Sequence, residues 1–239
     1  MALVHPARRL RGIRGLRAAP QPYCQVCFGP ATKLHVLREH HSDRTLAVRT
    51  CDRCGYVEIP DRIDDDAAAP IAPVAASLRR ERAMSKLGVD VLGIPDAAIL
   101  AVSEHPEALD SEAVEDRYDV VVAADVIDRF GDPLVDFARM FKLLADRGVL
   151  ICSSTIHDGG ALARRRHVFG RGRGSYFTPQ SLRRVASVHN VKVDFRLPPP
   201  SSKSGARRRY VIFTRSPEVM AAVADYFARN RHAPSHRSP

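Results

Sequence analysis

Two kinds of apolar pattern alternate along this chain. Tyr118–Ala124 reads YDVVVAA and Gly148–Ser153 reads GVLICS. Near-continuous apolar runs of this length mark strands buried on both faces, as in parallel sheets. Between them Leu134, Phe137, Phe141 and Leu144 recur at helical spacing, behind Asp132 as N-cap and Pro133 at the first helical position. Asp132–Leu144 is therefore predicted as a helix. Strand, helix, strand with short links argues for a parallel sheet with right-handed crossovers. Upstream, Leu78, Met84 and Leu87 among many charges read as a short helix over Ser77–Leu87. Val89–Ile94 and Ala97–Val102 are two further short apolar runs around Pro95-Asp96.

The C-terminal third changes rhythm. Thr178 as N-cap and Pro179 after it open a helix through Ser187. Val191–Leu197 and Tyr210–Arg215 read as strands joined by the basic stretch 198–209, which pairs them antiparallel as a long hairpin. Glu218–Arg229 is a last helix, and residues 230–239 are expected to be a disordered tail. Residues 61–76 combine Asp64–Asp66, Pro70, Pro73 and six alanines and read as a linker.

The N-terminal part carries the sharpest local signal. Cys24 and Cys27, then Cys51 and Cys54, form two C-x2-C turns with twenty-three residues between them. Each turn converges two thiolates on one ion, and two turns complete a tetrahedral four-sulfur site. Glycine follows each turn, Gly29 after Phe28 and Gly55 directly, where a tight backbone turn needs it. Lys33–Leu37 and Thr45–Thr50 read as short strands with Glu39–Arg44 as the polar turn between them. This is the layout of a β zinc ribbon over residues 23–60, with Zn²⁺ the expected structural ion and iron its usual competitor. A redox dithiol or a pair of disulfides are the alternatives for the same cysteines. Four cysteines satisfy the ion, so His35, His40 and His41 read as surface residues. Cys152, inside an apolar run, reads as a buried strand residue.

Composition narrows the class. The chain has 239 residues, 45% hydrophobic and 27% charged, which suits one α/β domain plus a small appendage and excludes a wholly disordered chain. No run approaches 18 uncharged apolar residues, so no transmembrane helix is expected. Five cysteines are too few for a disulfide scaffold. Residues 1–22 hold five arginines and no acid. They lack the apolar core of a secretory signal, so a basic disordered arm and a cytoplasmic location are expected.

Charge is blocked rather than spread: net +6 over residues 1–60, −10 over 61–160 and +14 over 161–239. A basic third of this kind attracts an anionic substrate or nucleic acid, or else only solvates the surface.

Residues 118–150, YDVVVAADVIDRFGDPLVDFARMFKLLADRGVL, resemble the fourth strand, loop, helix and fifth strand of class I S-adenosylmethionine-dependent methyltransferases. Asp132-Pro133 stands where that family has its "dP", and Arg147-Gly148 stands for the glycine before the next strand. Residues 176–197 are similar to the family's "ft..sL..ll...Gf.v" segment, and the closing hairpin resembles its last two strands. The resemblance covers roughly residues 85–215. It implies a mostly parallel, Rossmann-like α/β sheet with a terminal antiparallel hairpin over residues 77–229, S-adenosylmethionine as cofactor, and transfer of a methyl group to a nucleophilic oxygen, nitrogen or carbon.

The family's glycine-rich turn after its first strand has no counterpart before Tyr118. Asp96 matches an acid that would hold the cofactor ribose, or it belongs to a plain turn. Asp125, at the end of a strand where open α/β sheets bind ligands, is the other cofactor candidate, or a capping acid. Asp128-Arg129 replaces a Glu-His pair frequent in related enzymes. His157-Asp158 is a candidate general base, and the glycine run at 170–174 reads as a flexible loop that contacts an anionic substrate or simply solvent. Two functions follow: a methyltransferase with a structural zinc ribbon, or a catalytically degenerate relative that binds nucleic acid or protein through its ribbon and basic surface.

Overall fold

The computed structural model describes residues 23–30, 33–38, 45–59, 75–103, 105–109, 117–157, 162, 173–197 and 208–230. The strands are β1 (Lys33–Arg38), β2 (Thr45–Thr50), β3 (Val57–Glu58), β4 (Ile99–Ala101), β5 (Tyr118–Ala124), β6 (Leu144–Thr155), β7 (Ser175–Tyr176), β8 (Lys192–Arg196) and β9 (Arg208–Thr214). The helices are α1 (Ala75–Leu92), α2 (Pro133–Lys142), α3 (Pro179–Val188) and α4 (Pro217–Asn230).

The main sheet has the order β4-β5-β6-β9-β8. β4, β5 and β6 are parallel neighbours, while β9 runs antiparallel to both β6 and β8. This is the mostly parallel sheet with a terminal antiparallel hairpin that the sequence implies. The period of two along β5 splits the core. Val121 and Ala123 face one layer with Phe137, Met140, Phe141, Leu182 and Val185. Val120, Val122 and Ala124 face the other with Met84, Leu87, Val219, Val223 and Phe227. Helices α2 and α3 therefore cover one face and α1 and α4 the other, and β5 is apolar and buried from Val120 to Ala124 because neither face meets water there.

Both caps expected from the sequence form. The Asp132 side chain accepts from Val135 N, and Thr178 accepts from Ser181 N in a reciprocal capping box. The segment before β4 departs from expectation. α1 runs through Val89–Leu92 instead of stopping at Leu87, and it begins at Ala75, inside the stretch read as linker. Gly88 breaks the apparent pattern but lies within the helix. A Cβ there would stand 2.5 Å from Val120 Cγ1, so glycine lets α1 press against β5. The helix ends at Gly93, whose φ of 68° is the left-handed terminus glycine favours.

The smaller sheet, β1-β2-β3-β7, is antiparallel throughout. Its fourth strand, β7, comes from far along the chain and was not expected, since two residues carry no readable period. It ties the ribbon to the α/β layer. Tyr56 packs 5.3 Å from Phe177, which meets Phe137 edge-on at 5.8 Å. The four ribbon cysteines belong to the same buried cluster as Phe137, Leu150 and Phe213.

The basic arm, residues 61–74 of the expected linker, residues 164–166, most of the glycine run, residues 198–207 and the tail from residue 231 lie outside the described residues. Among the described residues, no helix is long and apolar enough to cross a membrane.

Candidate functional site: a four-cysteine centre and the carboxyl edge of the sheet

The two C-x2-C turns fold alike. Cys24 N donates to Gly29 O at 2.8 Å and Phe28 N to Cys24 O at 2.9 Å. In the second turn, Cys51 N donates to Tyr56 O at 2.9 Å and Gly55 N to Cys51 O at 2.8 Å. In both, the residue after the second cysteine is left-handed: Phe28 at φ 56° and Gly55 at φ 69°. The first turn thus strains a phenylalanine where the sequence suggested that Gly29 takes the turn. At Gly29 a Cβ would be a tight fit, 3.0 Å from Arg53 Cδ and 3.3 Å from Cys27 Sγ.

These turns bring the four sulfurs together. Cys24 and Cys54 are 3.6 Å apart, Cys27 and Cys51 3.5 Å, and all four lie within 4.8 Å of one another. Those separations are far beyond a sulfur–sulfur bond of about 2 Å, and the cysteines are free. They match the edge of a tetrahedron with metal–sulfur bonds of about 2.3 Å, an edge of about 3.8 Å. Each side chain is buried. The hydrogen bond with Cys54 holds the Cys24 thiol down at about 5, while the same bond and burial push Cys54 up. The donor set fits one tetrahedral metal ion, and its four thiolates leave no open position for a substrate.

The centre is wired to the sheet. Thr178 Oγ1 donates to Cys54 O at 2.6 Å, and Gln180 Nε2 to Arg53 O at 2.9 Å. The Tyr56 and Ser175 hydroxyls bond at 2.6 Å, and Ser175 Oγ donates to Phe130 O. Gly174 bridges the two layers: its carbonyl accepts from Ile59 N at 3.0 Å, and its N–H donates to Asp128 O at 2.8 Å.

At the carboxyl ends of β5 and β6, the chain's own side chains occupy the edge. Asp125 follows β5 in a left-handed conformation, φ 58°. Its carboxylate is ion-paired with both Arg80 and Arg208 and accepts from Ser77 Oγ at 3.2 Å. Burial raises its pKa, but Arg208 first and Arg80 next outweigh that and hold it below the usual aspartate range. Arg80 and Ser77 come from the start of α1, and Arg208 from the start of β9 opposite Thr155.

Beside them Glu81, 3% exposed, accepts from Ser103 Oγ at 2.5 Å and from Ala124 N at 3.4 Å. It thereby pins the turn after β4 to the end of β5. The sequence signal for Glu81 was its place on the apolar stripe Leu78–Glu81–Met84 of α1. For Arg80 and Arg208 there was none.

Asp128 is fully buried. Ser154 Oγ donates to its Oδ1 at 2.5 Å; Oδ2 has no hydrogen bond and stands 3.4 Å from the Arg173 guanidinium. Burial pushes its pKa up to about 6, against the pull of Arg173 and Ser154.

The structure separates the two cofactor candidates. β4 pairs in parallel with β5 at Ile99↔Val120, so Asp96, before β4, lies at the amino edge of the sheet. Ala98 N there donates to Asp119. Asp96 is exposed and stands at the opposite edge from Asp125. As joint ligands of one cofactor the two acids are ruled out by the strand direction, which sends them to opposite edges. His157 does lie at the carboxyl edge, its N–H on Phe177 O; Asp158 is outside the described residues. Cys152 is buried, as expected, and burial raises its pKa above the usual thiol range.

No family model and no curated protein matches this chain. Solved structures similar to it, all at low identity, include methyltransferases. One is an S-adenosylmethionine-dependent methyltransferase from Thermotoga maritima (13% identity, TM-score 0.38, 58% of this chain and 91% of that one). Another is the glycopeptide N-methyltransferase MtfA, solved also with S-adenosylmethionine (12%, TM-score 0.35, 45% and 58%). TnmH is a further similar structure (13%, TM-score 0.39, 64% and 61%). The chain spans less than two thirds of the last two.

Proposed function

We propose that this chain is a catalytically degenerate methyltransferase-type protein that works by binding, with Zn²⁺ as the structural ion of its ribbon. The observation that carries this reading is the engagement of Asp125 with Arg80 and Arg208. The acid expected to hold a cofactor is held by the protein. Glu81 fills the adjoining corner between Ser103 and Ala124, where close approach of a cofactor would call for glycine and open backbone. A polar ligand entering there must displace two ion pairs, which costs more than it regains unless its own groups replace them. Zinc would be held by Cys24, Cys27, Cys51 and Cys54 and would supply folding free energy to residues 23–59. The partner class that fits the +14 balance of residues 161–239 is an anionic macromolecule, nucleic acid first.

A second reading keeps methyl transfer, favoured by Asp128: a buried carboxyl with a pKa near neutrality and an unbonded oxygen has the properties of a general base. Titration calorimetry with S-adenosylmethionine separates the two. The binding reading expects no heat of binding at millimolar cofactor; the enzyme reading expects saturation at micromolar concentration.

A further inference from the structure

Asp125 is clamped from two sides. Arg208 Nη1 donates to its Oδ1 and Arg80 Nη2 to its Oδ2. The same two nitrogens reach the hydroxyls of Ser153, at 3.4 Å, and Ser77, at 2.9 Å. Each guanidinium has five N–H groups, so donors are left over. Among the described residues, Arg80 Nη1 and Arg208 Nη2 make no hydrogen bond, and Arg80 Nε is buried without a partner. Both side chains open to solvent, Arg80 at 25% and Arg208 at 27%.

Charge around the clamp does not balance. Arg129 Nε donates to Asp125 O at 3.3 Å. Arg173, 3.4 Å from Asp128, favours the charged form of both acids. With Glu81 in the adjoining corner, four arginines meet three carboxylates, those of Glu81, Asp125 and Asp128. The surplus is one positive charge, and it becomes two once Asp125 turns away.

We propose that Arg80 and Arg208 form a receptor for the dianionic phosphate of a small phosphomonoester, and that Asp125 is the internal carboxylate which the phosphate displaces. Guanidinium forks grip phosphate and carboxylate in the same two-point manner. A carboxylate offers two oxygens and a terminal phosphate three, so the third oxygen takes up donors that Asp125 leaves unused. A terminal phosphate carries close to two negative charges at neutral pH, which cancels the surplus left by Asp125. A phosphodiester, with one charge, leaves half of it. The phosphate oxygens replace both ion pairs, which is what a polar ligand must do to enter this edge. The cationic sulfonium of S-adenosylmethionine does not. The proposal rests on the binding reading in taking this edge as closed to that cofactor. Cofactor calorimetry tests that reading in the absence of phosphate, so either fails without the other.

The test is titration calorimetry of the full zinc-loaded chain at fixed ionic strength and about pH 7.5, where a phosphomonoester is a dianion. Methyl phosphate serves as the monoester and dimethyl phosphate as the diester. Methyl phosphate is expected to bind saturably, at least about tenfold tighter than dimethyl phosphate. Arg208→Gln should weaken it about tenfold, the loss of one charge-assisted contact. Asp125→Asn should tighten it about tenfold, because the internal competitor loses its charge. An ion pair with a structural role alone does not move affinity in opposite directions at its two ends. Thermal melting gives a second reading that needs no arginine variant: methyl phosphate should raise the melting temperature of Asp125→Asn more than that of wild type. Three results overturn the proposal: no saturable binding to wild type or to Asp125→Asn, binding that Asp125→Asn leaves unchanged or weakens, or equal binding of the diester. The last assigns the cluster to a nucleic-acid backbone instead.

Discussion

Thr178 donates its hydroxyl to the carbonyl of Cys54 at 2.6 Å. One residue therefore caps helix α3, through Ser181 N at 3.0 Å, and secures the last cysteine of the metal centre. The ribbon is held against the sheet by this bond, by the β3–β7 pairing and by the buried Tyr56–Phe177 contact. Loss of the metal should be felt in the α/β layer, and loss of α3's cap should be felt at the metal.

Thr178→Ala tests that coupling. It removes the cap and leaves the Cys54 carbonyl buried without its donor, so it should cost about 2–4 kcal/mol in stability. Thermal melting reads the cost. Zinc affinity, measured by competition with a chromophoric chelator, should fall together with the melting temperature. Thr178→Ser, which keeps the hydroxyl, should restore most of both.

Chelation should unfold more than the ribbon. Metal binding and folding are linked where the site exists only in the folded chain. Purified protein is expected to carry about one zinc per chain, and Cys51→Ser to lose it. Amide exchange should then rise at residues 23–59 and also at Ser175–Thr178, whose partners lie in the ribbon. Protection that survives unchanged at Ser175–Thr178 would show the two layers to be independent.

Asp125 separates charge from backbone. Asparagine tolerates the left-handed φ of this position but removes the charge facing Arg80 and Arg208. Asp125→Asn should therefore destabilise the protein through two unpaired guanidinium groups, by about 1–3 kcal/mol given their partial exposure. Asp125→Ala adds backbone strain and should cost more. Because the folded pKa of Asp125 is depressed, its contribution is present above the unfolded aspartate value and is lost as pH falls below it.

Asp128 has the opposite sign. Its folded pKa is raised to about 6 from 3.8, so between about pH 4 and 6 the folded state binds the proton and the unfolded state does not. Stability from this group is full below that window and declines as pH rises through it. The difference between wild-type and Asp128→Asn melting temperatures, taken across pH 4 to 7, should change only within that window. A constant difference would contradict the raised pKa.

Legibility in the sequence followed period and spacing. β5, helix α2 and both helix caps were readable because buried strands, helical stripes and Asp or Thr before Pro are local signals. The metal centre was readable because thiolate geometry fixes its spacing. Features set by tertiary pairing and packing were not. Val89–Leu92 looked separate from α1 because Gly88 interrupts the pattern, although the glycine serves packing against Val120. Asp96 was placed with Asp125 because strand direction, which sends the two acids to opposite edges, is set by tertiary pairing. Arg80 and Arg208 were invisible as partners of Asp125, since 45 and 83 residues separate them from it.

If the chain's own side chains hold the carboxyl edge against a cofactor, titration calorimetry of zinc-loaded wild type with S-adenosylmethionine and S-adenosylhomocysteine should give no saturable heat up to millimolar ligand. A saturable isotherm with micromolar affinity, weakened at least tenfold by Asp125→Asn, would contradict it and establish a working cofactor site.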